Sequence, residues 1–445
     1  MRSKQSGMTS IGLVVLIVVV GTWVYALSFL INGPLVDGKL GGKRGIIVAA
    51  LGSSLANIAM GVLTWMLVTG RLHTNVKLAF SIIYGINMYF QSYGAVSIIK
   101  VKAYWFHVRE RGMFGAIFGT LISFGIYFAF DWGQAIVEAT AVKRAEGLSY
   151  VQELVRKIFC VEGATTPAVW AVFFIPAAVL VVWAVIDAWL IKDTPEEAGY
   201  ADFDTADASS GQMHLKLSTG DLLKKVFTSR IMLLVALVEL TSGVLRNGIY
   251  TWYFIFAKEV KQTGAEFFMK NWGLLLCLFG IIGGFAGGIA SDKLFQSRRA
   301  PPAVFLSLFM FMMALLMAVY LNSSPWVVGW AAVLISMAVI GVHSLMSGTA
   351  AADFGERKAT ATCSGIVDGF VYLGSGIQSV SLGYLTAKNW LWWPVFLMPF
   401  ALLGGVTAMF LWHELPAATL VNPPKTQIIP SSTPLHPKPQ LRDLG

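Results

Sequence analysis

The sequence predicts an all-α polytopic membrane protein. Of its 445 residues, 56% are hydrophobic and only 13% are charged, about half the charged share usual in a soluble domain. Mean hydropathy is +0.67. Apolar stretches of about 20 residues, the length that crosses a bilayer as a helix, recur along the chain. They fall near 11–33, 46–69, 77–99, 113–136, 167–191, 231–257, 271–291, 303–321, 326–352, 359–386 and 389–413, about eleven spans in all.

The polar break at 192–230 separates five spans from six. It defines an N-terminal bundle (1–191), a central loop (192–230), a C-terminal bundle (231–413) and a polar tail (414–445) rich in Pro, Ser and Thr. Within the first bundle the loop 138–166 is polar. Its stretch Leu148–Cys160 spaces Leu148, Val151, Leu154, Val155, Ile158 and Phe159 as a short amphipathic helix. Cys160, Cys277 and Cys363 follow neither metal nor disulfide spacing. No metal, cofactor or enzymatic constellation is expected. The net charge of +9 lies in short loops between spans, which points to the bilayer and away from nucleic acid.

Basic residues mark the cytoplasmic side. The loops holding Lys39, Lys43 and Arg44, then Lys100, Lys102, Arg109 and Arg111, then Lys293, Arg298 and Arg299, then Arg357 and Lys358 share one side, and the C-terminal tail falls there too. Gly33-Pro-Leu-Val-Asp37-Gly-Lys39 recurs loosely as Gly288-Ile-Ala-Ser-Asp292-Lys293. Each copy ends a span with Gly-x-x-x-Asp and is followed by basic residues. Two spans reach the second copy but one reaches the first. If the halves are repeats, a helix preceding residue 11 is expected beyond this sequence. A signal peptide is the alternative, disfavoured because the apolar stretch is too long.

Ionisable residues inside spans are costly, by about 2.5–3.5 kcal/mol for arginine on insertion scales, and face a cavity or a partner. Arg246 is such a residue, and its donor fork matches phosphate or carboxylate oxygens. Its alternative role is a salt bridge to Glu239, two helical turns away. Glu239 could also take up a proton. Asp368, among Gly365, Gly369 and Gly374, is a second candidate, against a rival role in packing. His343 reads as a hydrogen-bonded bundle residue, Asp131 as interfacial, and Lys100 as an anion lure or a snorkelling side chain. Asp37, Lys39, Arg44, Asp292, Lys293 and Arg111 form a candidate latch between helix ends.

Several stretches resemble the organophosphate:phosphate antiporters of the major facilitator superfamily. They are Leu245-Arg246-Asn-Gly248-Ile-Tyr250-Thr-Trp252 with Ala257–Lys261, Ser291-Asp292-Lys293-Leu-Phe295, Trp105–Gly112, Lys192–Gly199 and Gly365–Gly374. The resemblance implies two pseudo-symmetric helical bundles that rock around a midplane site, with the first of twelve helices missing here. It also implies exchange of a phosphorylated small organic anion for inorganic phosphate across an inner membrane. Arg246 matches a phosphate-binding arginine, and Tyr250 and Trp252 beside it are candidate substrate contacts. Thr251 stands where some relatives carry an acid, and Ile122 where some carry a histidine. That leaves room for a proton-coupled carboxylate carrier or a non-transporting sugar-phosphate sensor. A monomer is expected.

Overall fold

The computed structural model describes residues 2–107, 111–201, 219–260, 264–350 and 359–414. Arg109, Lys261, Arg357, Lys358 and the tail from 415 onward lie outside the described residues, as does most of the central loop. Side chains of residues 1–15 and 111–114, Arg111 among them, are likewise not described.

All regular structure among the described residues is helical. The first half contains α1 (Arg2–Leu35), α2 (Gly41–Val68), α3 (Val76–Trp105), α4 (Arg111–Tyr127), α5 (Gly133–Thr140), α6 (Tyr150–Ile158) and α7 (Ala171–Leu190). After a short α8 (Thr219–Thr228) come α9 (Arg230–Tyr250), α10 (Trp252–Val260), α11 (Ala265–Ile289), α12 (Ala300–Tyr320), α13 (Pro325–Leu345), α14 (Thr360–Leu385) and α15 (Trp392–Met409). Every apolar stretch read from the sequence coincides with a long helix or a broken pair. Eight helical runs are apolar and long enough to cross a membrane, one of them the continuous Leu16–Val68. That run bends at Gly41, whose φ of +73° is a conformation other residues rarely adopt.

The ends of the helices follow local chemistry. Asn75, Ser149, Ser229 and Ser324 accept hydrogen bonds from the backbone amides three residues on, satisfying donors that a helix start leaves open. Ser149 and Gln152 close a reciprocal capping box on α6. Arg156 of α6, 3% exposed, donates to the Ala139 and Ala141 carbonyls at 2.9 Å each and ties this helix to the end of α5. Tyr150, Val151 and Ile158 stay exposed.

Both copies of the Gly-x-x-x-Asp motif finish their helix in a five-residue π-type turn, Val36–Leu40 and Ala290–Leu294. In the first half α2 packs on α3 and α7, and α1 on α3. In the second, α9 packs on α14, α15 and α13, while α12 bridges α13 and α15. The halves meet along two seams, α1 against α14 and α4 against α11.

Close packing at these contacts requires glycine. A Cβ on Gly243 would strike the Val371 carbonyl, and one on Gly374 would strike the Leu240 carbonyl, so α9 and α14 touch backbone to backbone. Gly374→Val is therefore expected to destabilise the protein by about 1–3 kcal/mol. Gly38→Ala, at a position with nothing within 4 Å, serves as the neutral control. Thermal unfolding of the purified variants checks the difference, and equal midpoints would refute it.

Candidate functional site

The centre of the second half is built from α9, α13 and α14. On α9, Glu239, Arg246 and Tyr250 stand at i, i+7 and i+11, a spacing that keeps them on one face. Helix α13 runs antiparallel beside it. His343 Nδ1 lies 2.9 Å from Glu239 Oε2, and Ser336, two turns away, donates to the Tyr250 hydroxyl at 3.2 Å. Glu239 is 0% exposed, and His343 and Asp368 are 6% exposed. The Glu239 Oε1 atom is buried without a hydrogen-bond partner. From α14, Asp368 accepts a hydrogen bond from Ser347, and Tyr372, one turn on, reaches Arg246. The Arg246 Cζ lies 5.1 Å from the centroid of that ring, a cation–π distance.

The first half closes the site with α1. Tyr25 stands edge-on to Tyr372 with centroids 4.3 Å apart, and Phe29 lies 4.6 Å from Tyr25. Arg246 is thus set among aromatic rings from both halves. Among the described residues no carboxylate comes within 4.0 Å of its guanidinium. The two nearby acids are engaged elsewhere, Glu239 by His343 and Asp368 by Ser347. An arginine placed this way keeps donors available for an anion.

The Major Facilitator Superfamily pattern matches residues 3–379 of this sequence. The chain belongs to the major facilitator superfamily. Curated proteins similar to it include the glycerol-3-phosphate transporter of Bacillus subtilis (strain 168), 23% identical over 81% of this chain and 75% of that protein. A probable hexose phosphate transport protein of Chlamydia muridarum is 23% identical over 82% and 79%. The membrane sensor protein UhpC of Salmonella typhimurium is 24% identical over 75% and 70%. Among solved structures, the Escherichia coli fucose:proton symporter FucP aligns with a TM-score of 0.58 at 14% identity, covering 90% of this chain and 98% of that one. That last likeness concerns the fold.

The facilitator chain brings some expected residues together and separates others. Arg246, Tyr250, Glu239 and Asp368 gather in one region, but Glu239 bonds His343 rather than Arg246. Trp252 does not join them. Six residues beyond Arg246 it points about 240° around the helix, and it is 2% exposed with its ring 6.1 Å from Trp390. Trp252→Ala is expected to lower the thermal midpoint, as a buried-Trp truncation costing about 3–5 kcal/mol does, without changing phosphate affinity. A binding isotherm on the folded variant checks this, and weakened binding would return Trp252 to the site.

The motif ends also differ from expectation. Asp37 accepts from the Ala361 and Thr362 amides at 3.2 and 2.7 Å and from the Thr362 hydroxyl at 2.7 Å, which caps the start of α14. Its charge partner is Lys100, at 2.7 Å and with both side chains buried, so Lys100 does not snorkel. Asp292 pairs with Arg299 and accepts from Ser297 at 3.5 Å, within its own half. Lys39, Arg44 and Lys293 are exposed and form no ion pair among the described residues. They follow the helix end on its solvent side, whereas the buried cation comes from α3. Arg111 is not described.

Two features escaped the sequence reading. Asp193 accepts from the Lys43 amide at 2.5 Å, placing a carboxylate at the start of α2, where the helix dipole favours it. At the opposite end of the bundle from Asp37, the Asp131 carboxylate faces the Leu274 amide, just after the non-helical Asn271 of α11. Asp131 is therefore a contact between halves rather than an interfacial side chain. Phe130 beside it stacks on Phe254 with centroids 5.7 Å apart.

Proposed function

We propose that this chain carries a phosphorylated small organic anion, of the sugar phosphate or glycerol phosphate type, across the membrane in exchange for inorganic phosphate. The observation that carries the reading is Arg246, buried among Tyr25, Tyr250 and Tyr372 with no carboxylate on its guanidinium. Its fork would take two oxygens of the phosphoryl group, and the phenols would offer further donors. Asp368 and Glu239 would border the anion, held back from Arg246 by Ser347 and His343. The names of the relatives support a phosphate-ester cargo.

Alternating access would follow from rocking of two bundles, residues 1–191 and 231–413, about the α1–α14 and α4–α11 seams. The Asp37 end would be cytoplasmic, together with the C-terminus, in an inner membrane, and the carrier would act as a monomer. The test is reconstitution into phosphate-loaded vesicles with uptake of radiolabelled phosphate, glycerol 3-phosphate and a hexose 6-phosphate. Uptake that requires internal phosphate supports exchange. Flux of a carboxylate that phosphate does not compete with would replace this cargo. The likeness to UhpC supports a second reading, a sensor, which predicts binding of the phosphate ester with no flux.

A further inference from the structure

We propose that the Glu239–His343 pair is a proton-binding site whose occupancy is linked to the anion at Arg246. The inference rests on the anion reading above and adds a second cargo to it. A carboxylate bonded to an imidazole inside a helical bundle is costly, and chains of such groups mark proton routes. Here the pair is shut away from water, with Glu239 at 0% and His343 at 6% exposure. One of its four polar side-chain atoms is open. Glu239 Oε2 engages His343 Nδ1, while Oε1 is buried with no partner. A buried acceptor left this way is unfavourable, and a proton from water added to Oε1 would remove the carboxylate charge.

The pair holding one proton is neutral overall; losing it leaves one negative charge, and gaining another leaves one positive charge. Other groups face it from each packed element. Arg246 and Tyr250 lie on α9, and Asp368 and Tyr372 on α14. Ser347 follows α13, and Tyr25 comes from α1. Two helical turns set Arg246 about 10 Å along the axis from Glu239. A unit of negative charge arriving there would alter the proton occupancy of the pair on the order of tenfold at the effective dielectric of protein sites. Anion loading therefore draws a proton in, and anion release on the far side lets it go. No redox step or further reactant is needed.

The test is pH-difference infrared spectroscopy on the purified full chain in lipid, with and without saturating inorganic phosphate, alongside binding of radiolabelled phosphate. A carboxyl band is expected that is absent in Glu239→Gln and shifted in frequency in His343→Gln. Its midpoint should rise by about one pH unit when phosphate binds. Amide bands of each variant report whether it is folded, and the conservative Glu239→Asp should keep a carboxyl band. A spectrum unchanged by Glu239→Gln overturns the proposal. Phosphate binding without a shift of the midpoint overturns the linkage while leaving the anion reading intact. Absence of phosphate binding with the band still present rejects the anion reading, and the linkage with it.

Discussion

Arg246→Ala is expected to abolish phosphate binding and phosphate-dependent exchange. The guanidinium supplies charge-assisted hydrogen bonds worth about 1.5–3 kcal/mol each, and a bidentate grip uses two of them. Loss of both weakens binding by about a hundredfold or more, since each 1.4 kcal/mol is a factor of ten. Arg246→Lys keeps the charge but not the planar fork and should fall between wild type and alanine. The ring of Tyr372 lies under the guanidinium, so the alanine variant also removes a packing contact. Thermal unfolding separates that effect from binding. An alanine variant that is folded and still binds phosphate with wild-type affinity would remove Arg246 from the site.

Asp37→Ala is expected to open the seam at that end of the bundle. The substitution strands the Lys100 ammonium, 9% exposed at its side chain, and leaves the first amides of α14 uncapped. Breaking a buried pair costs about 3–5 kcal/mol, and losing a helix cap about 1 kcal/mol. Cys363, 4% exposed and next to Thr362, is a native reporter. In a Cys160→Ser background its labelling by a membrane-permeant maleimide should accelerate in Asp37→Ala. The double variant Asp37→Ala/Lys100→Met should label more slowly than the single one, because it removes the stranded charge. Identical labelling rates in wild type and Asp37→Ala would show that the contact does not hold the seam.

Most of the fold was legible because lipid makes backbone pairing obligatory and length explicit. The weaker cases show the limits of hydropathy. Helices α3 and α14 fall outside the runs apolar enough to cross a membrane, yet both read as spans. Their polar residues, Asn87, Lys100, Asp368 and Gln378, are buried against other helices instead of facing lipid. At the site, the cost of burying charge identified Arg246, Glu239 and Asp368. Their partners were hidden. The seven-residue spacing favoured Glu239 with Arg246, but tertiary packing delivered His343 from 104 residues away. Lys100 likewise comes to Asp37 across 63 residues. Trp252 was misplaced because nearness in sequence says little about angle around a helix.

The seat of Asp37 on α14 has a genetic consequence. Its partners across the seam include two main-chain amides, those of Ala361 and Thr362, and the encoded side chain cannot remove an amide unless it is proline. A screen for second-site revertants of Asp37→Ala should therefore yield no reciprocal charge swap on α14. Restoring changes should collect at Lys100, where the orphaned cation can be discharged, or at Thr362, the one partner there with a side-chain donor. Lineages that lose this aspartate would be expected to lose the buried lysine with it.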